Sequence, residues 1–212
     1  MKIKQIVPLG LLVLVLMACG LFSQATPRAS TDESGSETVQ REPPTPTLPP
    51  ALSLHQAWER AWSDIEAWAA DAQPTQKWSC PGRLLEDGTC NQWQGAVASA
   101  DQVDVANVTV TETEVEVQPS RSEIVGKPAV AAAFAKAGIV NSPQVVQTSW
   151  DWLESRDVRT EHTRLTGLTL RSGPGSVECG EEPTYVVSFD SPPGHLCLDA
   201  YTGSVIYSSY DN

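Results

Sequence analysis

A dense proline tract, PPTPTLPP over residues 43–50, limits where a folded domain can begin in this chain. Six prolines, many Ser and Thr and few large apolar side chains lie between residues 20 and 50. Such a composition buries too little apolar surface to offset the conformational entropy that ordering costs. We therefore predict a disordered, largely extended tether over residues 19–50, with folded structure beginning near Ala51.

The chain begins with a short segment that is typical of an export signal. Lys2 and Lys4 precede an apolar run of thirteen residues from Ile6 to Ala18. A helix needs ~20 residues to span a bilayer, so this run fits the hydrophobic region of a secretory signal better than a permanent anchor. We predict that residues 1–18 are a signal peptide.

Leu16-Met17-Ala18-Cys19 resembles the lipobox of bacterial lipoproteins. In that family a diacylglycerol is attached to the cysteine thiol, a peptidase cuts just before the cysteine, and the freed amine is usually acylated. The resemblance implies cleavage between Ala18 and Cys19, and a lipid-modified Cys19 that anchors the mature protein on the extracytoplasmic face of a cell membrane. Several acyl chains hold a protein more firmly than one, at ~0.8 kcal/mol per buried CH₂. An ordinary signal peptide with an incidental cysteine is the alternative.

The chain is strongly acidic, with a net charge of -12. A protein that binds nucleic acid needs a basic surface to displace counterions, so we expect no nucleic-acid partner. The same excess of acid argues against adhesion to anionic lipid through a polybasic patch. We expect the lipid bilayer as a partner only through the acylated Cys19.

An amphipathic helix opens the part of the chain that is predicted to fold. Ser53 and Gln56 form a capping-box pattern, and an apolar stripe with 3.6-residue spacing runs to Ala72, where Gln73-Pro74 would end the helix. The three tryptophans of this stripe are expected in the core. Alternating apolar residues then predict strands near 77–80 and 93–99, and two or three more between 102 and 118. These elements make a first α+β unit over residues 51–120.

A second succession of helix and strands is predicted over residues 121–212. Pro128 suits a first helical position, and the apolar spacing up to Ala137, followed by Gly138, predicts a helix. Residues 142–155 are ambiguous, because Ser-Pro is typical of a helix start and the valines and tryptophans that follow favour a strand. Further strands are predicted at 165–171, 185–189, 195–201 and 205–207. The predicted fold class is α+β, as two small tandem units that each pack a helix on an antiparallel sheet.

The last strands resemble the closing hairpin of PepSY domains. Residues 199–205, DAYTGSV, match the Asp-Ala-x-Thr-Gly-x-Val stretch that ends those domains, and the likeness covers residues 183–208. PepSY-like units are extracytoplasmic, cover an antiparallel sheet with a helix and often occur in tandem. Some serve in propeptides of thermolysin-type peptidases, which implies a regulatory or inhibitory role. We therefore expect PepSY-like or cystatin-like units, although this chain carries no peptidase and adds Cys179 and Cys197 to the pattern.

Four cysteines remain when the lipidated one is set aside, an even number in a compartment that permits disulfides. Three connectivities exist, and pairing of nearest neighbours within each unit is favoured. The predicted disulfides are Cys80–Cys90 and Cys179–Cys197. A metal site is not predicted, because the chain has no Cys-x-x-Cys step and only His195 lies close to a cysteine in sequence. No cofactor is expected.

The chain carries no sequence motif of a known catalytic class. Gly-x-Ser-x-Gly, His-Glu-x-x-His and the Walker loop are all missing from its sequence. Glu112, Glu114 and Glu116 would share one strand face, which usually means a solvated surface. We therefore predict that the protein is not an enzyme and acts as a binding or regulatory module, with an envelope protein or a peptide as its ligand.

Three other functions stay open from the sequence. A structural envelope lipoprotein would need no ligand, and a hydrolase would need a site outside the known motifs. A carbohydrate-binding protein would need tryptophans on its surface. The candidate ligand-contact aromatics are Trp93, Trp150 and Trp152.

The lipid anchor can be tested on the intact chain. Cys19→Ser removes the only thiol that the lipobox resemblance assigns for acylation, so cells fed a radiolabelled fatty acid should label the wild-type chain and not the variant. Fluorography of the immunoprecipitated chain measures this, with Cys80→Ser as the control that keeps its label. Equal labelling of the Cys19→Ser chain would refute the prediction.

Overall fold

The computed structural model describes residues 50–100, 104–120, 133–173 and 178–211, all within one compact unit, Pro46–Asn212. Its helices are α1 (Leu54–Trp68) and α2 (Ser142–Ser155), and a short 3₁₀ helix covers Ser209–Asp211. Neither described helix is long and apolar enough to cross a membrane. The strands are β1 (Gln73–Ser79), β2 (Gln92–Ser99), β3 (Asp104–Thr111), β4 (Val115–Ser120), β5 (Arg164–Arg171), β6 (Thr184–Asp190), β7 (Gly194–Asp199) and β8 (Val205–Ser208).

The eight strands form one antiparallel sheet in the order β4-β3-β2-β1-β5-β6-β7-β8. Each helix is followed along the chain by four strands that pair with their neighbours in sequence. The two runs of four strands meet where β1 pairs with β5, and Trp78 lies opposite Leu170 in that pair. The predicted α+β class is confirmed, and the strands are present close to their predicted positions.

Helix α1 begins as predicted and ends earlier. Ser53 accepts a hydrogen bond from the Gln56 N–H while the Gln56 side chain accepts one from the Ser53 N–H, so the capping box is formed. Ala69 already has extended backbone angles, and β1 takes up the chain from Gln73, with Pro74 inside that strand. The predicted helical end at Ala72 was therefore wrong, because pairing with β2 overrides the apolar helical spacing.

The ambiguous segment 142–155 is helix α2. Asn141 is its N-cap residue, and a proline occupies the first turn, where its missing N–H costs no hydrogen bond. Of the residues that favoured a strand, Val145, Val146 and Trp150 are buried on one side of the helix, and Thr148 and Trp152 are partly buried.

The helix predicted after Pro128 is not found where the structure describes it. Residues 121–132 lie outside the described residues, and residues 133–137 are not helical. Ala133 pairs with Thr75, and the Phe134 N–H donates to the Pro74 carbonyl at 3.0 Å. This segment runs beside the first half of β1, so Phe134 reaches the core from an extended backbone.

Both helices cover the same face of the sheet, and a single apolar cluster lies between them and the strands. Trp58 of α1 meets Trp78 of β1 edge to face, with ring centroids 5.7 Å apart. Residues from both predicted units belong to this one cluster. The boundary drawn between residues 120 and 121 stays a prediction.

The opposite face of the sheet is largely polar. The strand register places Asn107 opposite Gln118, and both side chains are exposed, as are those of Gln94 and Glu116. The predicted row of three glutamates was wrong, because residues 112–114 form the turn between β3 and β4 and only the last glutamate lies within a strand. These positions are solvated, as expected for an antiparallel sheet with helices on one side. Ala96, Ala98 and Val105 form a second, small buried cluster on this face.

The four described cysteines pair as predicted. Cys80 and Cys90 form a disulfide with Cα atoms 5.9 Å apart, and Cys179 and Cys197 form a second with Cα atoms 5.6 Å apart. Each disulfide closes a short loop, which in the chain-entropy account stabilises the fold by roughly 3 kcal/mol.

The closing hairpin shows what the Asp-Ala-x-Thr-Gly stretch does. The Asp199 carboxylate accepts hydrogen bonds from the backbone N–H groups of Thr202 and Tyr201 and from the Thr202 hydroxyl. Gly203 has φ +72°, a conformation that glycine adopts at little cost. The motif is therefore an aspartate-closed turn between β7 and β8.

Stability at low pH should depend on this turn. The hydrogen bond from the Thr202 N–H lowers the pKa of Asp199, and burial raises it. The hydrogen bond is the larger effect, so the pKa lies below its ordinary value of 3.8. The ionised group therefore stabilises the fold above that value, and the contribution is lost as the pH falls through the lower folded pKa. Asp199→Asn should cost about 0.5–1 kcal/mol at neutral pH, since solvent screens this carboxylate, and should flatten the pH profile below 3.8. Urea unfolding across this range measures both; an unchanged profile would contradict the assignment.

A glycine under the central tryptophan offers a second test. A Cβ on Gly95 would lie 2.1 Å from the Trp78 ring, whereas a Cβ on Gly167 would meet Ser188 at an ordinary 3.4 Å. Gly95→Ala should therefore cost about 1–3 kcal/mol in urea unfolding, and the matched Gly167→Ala should cost little or stabilise. Equal effects of the two substitutions would show that the ring is not packed on Gly95.

Candidate functional site

Two of the three candidate ligand-contact tryptophans belong to the core. Trp93 is fully buried and its Nε1 donates to the Leu52 carbonyl at 2.8 Å. Trp150 is 5% exposed, donates to the Glu86 carbonyl at 3.1 Å and lies edge to face on Phe189. The prediction was wrong for both, because each indole fills apolar space and uses its N–H within the fold.

Trp152 is the candidate that stays near the surface. Its ring is half-buried and lies 6.4 Å from the Tyr210 ring, with the Arg156 guanidinium 5.0 Å from its centroid. Arg156 also pairs with Asp211 at 3.0 Å. These contacts hold the C-terminal 3₁₀ helix against α2, so Trp152 already has a packing role.

A cleft of about 240 Å³ lies between the first turns of α1 and residues 136–138. His55 lies at its edge and its Nε2 is 2.8 Å from the Ile139 carbonyl oxygen, which ties α1 to this segment. The residues lining the cleft are His55, Trp58, Glu59, Lys136, Ala137 and Gly138. Sequence reasoning missed this cleft, because it placed Lys136 on a helix and could not bring that helix beside α1.

Lys136 is the cationic group of the cleft. Its Nζ lies 3.6 Å from the centroid of the Trp62 ring, a cation–π contact. Partial burial lowers the pKa of the Lys136 ammonium, and the carboxylates of Glu66 and Glu59 oppose part of that shift. The cleft is therefore lined by one cation, Lys136, and one anion, Glu59, with an aromatic wall formed by the rings of His55 and Trp58.

The Trp58 indole forms part of that wall, and its N–H group is unusual. Trp58 is 1% exposed, and within the described part of the chain its buried Nε1–H has no hydrogen-bond partner. An unpaired buried donor costs about 1–3 kcal/mol. The rest of the ring is held by Trp78, by stacking against His55 and by contact with Phe134.

A second cluster, of side chains that can bind a metal ion, includes the Cys179–Cys197 disulfide. The two sulfurs and a ring nitrogen of His195 lie within 4.8 Å of one another. The His195 Nε2 is also 3.4 Å from the Glu178 carboxylate. Among the described residues, this is the group of three or more His, Cys, Asp or Glu with metal-ligand proximity.

The remaining histidine lies apart from both clusters. His162 is exposed and its Nε2 is 3.3 Å from the Glu161 carboxylate, a surface pair in the turn before β5. Cys19, predicted as the lipidation site, lies outside the described residues, as do the predicted cleavage site and most of the tether.

Comparison with known proteins finds no protein family and no curated protein that matches this chain. Among solved structures, the crystal structure of a proposed lipoprotein from Clostridium difficile 630 matches with a TM-score of 0.47 and 13% sequence identity. The match covers 72% of this chain and 91% of that chain. A likeness at this level establishes neither a shared fold nor a shared function.

The unpaired indole N–H predicts a difference between two buried tryptophans. Trp58→Phe removes a donor that has no partner in the described structure, whereas Trp93→Phe removes the hydrogen bond to Leu52. Both lose similar ring area, so Trp93→Phe should be more destabilising by about 1 kcal/mol. Thermal and urea unfolding measure the difference, and a larger loss for Trp58→Phe would show that its N–H is paired in solution.

Proposed function

We propose that this protein is a lipoprotein, anchored to a membrane through acylated Cys19, whose folded part is a non-enzymatic binding or regulatory module on the extracytoplasmic face. The ligand is a peptide or a segment of an envelope protein. The observation that carries the proposal is the cleft between α1 and residues 136–138, which both Lys136 and Glu59 line. The cleft is proposed as the point of contact with the ligand.

The export and anchoring part of the proposal has two supports. The leader ends in a lipobox-like sequence before Cys19, and the folded part contains two disulfides, which persist in oxidising compartments. An extended tether over residues 19–50 would reach roughly 100 Å. That reach, together with the excess of acidic residues, would keep the domain away from an anionic membrane surface and free to meet partners.

The size of the cleft favours a peptide over a cofactor. Pockets that enclose a drug-sized molecule usually measure about 300–1,000 Å³, and this cleft measures about 240 Å³. It holds one or two side chains of a larger ligand. Lys136 and Glu59 suit a ligand group with both charges or a polar side chain beside the aromatic wall.

We also propose that the fold arose from two tandem PepSY-like or cystatin-like units. The repeated order of one helix and four strands supports this origin, as does the aspartate-closed turn at Asp199 in the last hairpin. The cleft would then lie between the helix of the first unit and the segment that leads into the second. A regulatory role follows from the resemblance to propeptide domains.

The alternatives have less support. Carbohydrate binding depended on exposed tryptophans, and both Trp93 and Trp150 are buried. A purely structural lipoprotein has no use for a cleft lined by a lysine and a glutamate, so that function would require the cleft to be incidental.

The proposal is tested by photo-crosslinking in cells that express the full chain. A photoreactive phenylalanine analogue at position 59 should crosslink an envelope protein or peptide, identified by mass spectrometry. The same analogue at position 94, an exposed site on the open face, is the matched control and should not crosslink it. Lys136→Glu should weaken the crosslink roughly tenfold, as a loss of about 1.4 kcal/mol would. Equal capture from both positions, or no capture, would refute the cleft as the binding site.

A further inference from the structure

We propose that Cys179, Cys197, His195 and Glu178 form a redox-gated binding site for a thiophilic divalent metal ion such as Zn²⁺. In the oxidised protein the two cysteines form a disulfide. When that disulfide is reduced, the two thiolates, the imidazole and the carboxylate supply four ligands to one ion. The inference is independent of the ligand proposed for the cleft.

The fold brings these four residues together from two stretches of the chain. His195 and Cys197 are two positions apart in β7, so their side chains lie on the same face of the sheet. The register pairs them with Ser188 and Val186 of β6, away from the core residues of both strands. Glu178 and Cys179 belong to the connection between β5 and β6, which is joined to this face by the disulfide.

The distances bring three of the four groups together, and the Glu178 carboxylate lies outside that group of three, beside His195. The two sulfurs and the imidazole nitrogen lie within 4.8 Å of one another, and the His195 Nε2 lies 3.4 Å from the Glu178 carboxylate oxygen. Bond lengths to Zn²⁺ of about 2.0–2.3 Å place the ligand atoms of a tetrahedral site roughly 3.3–3.8 Å apart. Once the sulfur–sulfur bond is open, the two sulfurs must move apart to this spacing, and the exposed Glu178 side chain must rotate toward the ion.

The exposed fraction of the side chains rises from the two cysteines to His195 and then to Glu178. The sulfur residues are buried, Cys197 fully and Cys179 with 3% exposure. The His195 side chain is 29% exposed and that of Glu178 is 53% exposed. An ion can thus meet the carboxylate and imidazole at the surface before it reaches the thiolates below.

Reduction of the disulfide and binding of the metal ion are two separate steps, and atoms, electrons and protons balance in each. A dithiol reductant attacks the Cys179–Cys197 bond through its thiolate and then closes its own disulfide, which leaves two protein thiols and an oxidised reductant. Binding of Zn²⁺ then displaces the two thiol protons to solvent. Since the ion binds only the reduced form, it also opposes reoxidation of the pair.

The Cys80–Cys90 disulfide is a matched control inside the same chain. Its Cα atoms are 5.9 Å apart, close to the 5.6 Å of the other pair, and among the described residues it belongs to no group of metal-ligand proximity. Reduction of both disulfides should therefore create one metal site and not two.

The experiment uses the full chain, treated with a trialkylphosphine that takes up a water oxygen as it reduces the disulfides, and titrated anaerobically with Zn²⁺ and Co²⁺. We expect one ion per reduced chain, a thiolate-to-cobalt charge-transfer band, and no comparable binding by the oxidised chain. Cys80→Ser/Cys90→Ser should retain this site, and Cys179→Ser/Cys197→Ser should lose it. His195→Gln, which keeps all thiols, should weaken binding at least about tenfold.

The outcomes distinguish a metal site formed by the fold from nonspecific metal binding by the free thiols. Two ions per reduced chain, or equal binding by the two double-serine variants, would overturn the proposal. So would His195→Gln binding with wild-type affinity, because an unfolded dithiol needs no histidine in place. A second measurement follows reoxidation, which Zn²⁺ should slow for the Cys179–Cys197 pair and not for Cys80–Cys90; equal rates would also overturn it.

Discussion

The antiparallel pairing of β1 with β5 is the interaction on which the rest of the structure depends. Only three residue pairs form this junction, yet it converts two runs of four strands into one sheet. Trp78 lies at the junction, packs over Gly95 and meets Trp58 of α1 edge to face. Because β1 pairs with β5 over its second half alone, the first half is left for Ala133, and this brings the following segment beside α1.

The cleft follows from that arrangement. After Ala133, the side chain of Phe134 packs into the core. Two residues later, the ammonium of Lys136 lies over the Trp62 ring. A helix in this place would have turned its own apolar side to the sheet and carried Lys136 with it. The bend and turn at residues 136–138 instead leave space between this segment and α1, and His55 closes one end of that space through the Ile139 carbonyl.

Local signals predicted much of the fold and little of the cleft. The capping box at Ser53 and the alternating strands depend on neighbouring residues, and both were visible in the sequence. Nearest-neighbour logic also predicted both disulfides. The failures are long-range: α2 forms although its β-branched and aromatic residues favour a strand, because the sheet supplies an apolar face for one side of it. Trp93 and Trp150 were proposed as surface aromatics because a sequence does not show which indole N–H finds a carbonyl.

The two candidate sites lie on opposite faces of one sheet, and this separates their chemistry. The cleft lies on the helical face, where Lys136 and the aromatic wall are close to the apolar cluster. The Cys179–Cys197 cluster lies on the face that the helices leave open, and alternation along β7 points His195 and Cys197 away from the core residues Leu196 and Leu198. Both cysteines are buried but lie outside the apolar cluster under the helices, so opening the disulfide would release the connection between β5 and β6 from β7 without removing a member of that cluster. The connection that carries Cys179 nevertheless meets the segment beside the cleft, because the Ala200 N–H donates to the Pro183 carbonyl at 3.0 Å and the Val140 N–H donates to the Ala200 carbonyl at 2.8 Å. A change of redox state therefore has a short hydrogen-bonded route to that segment.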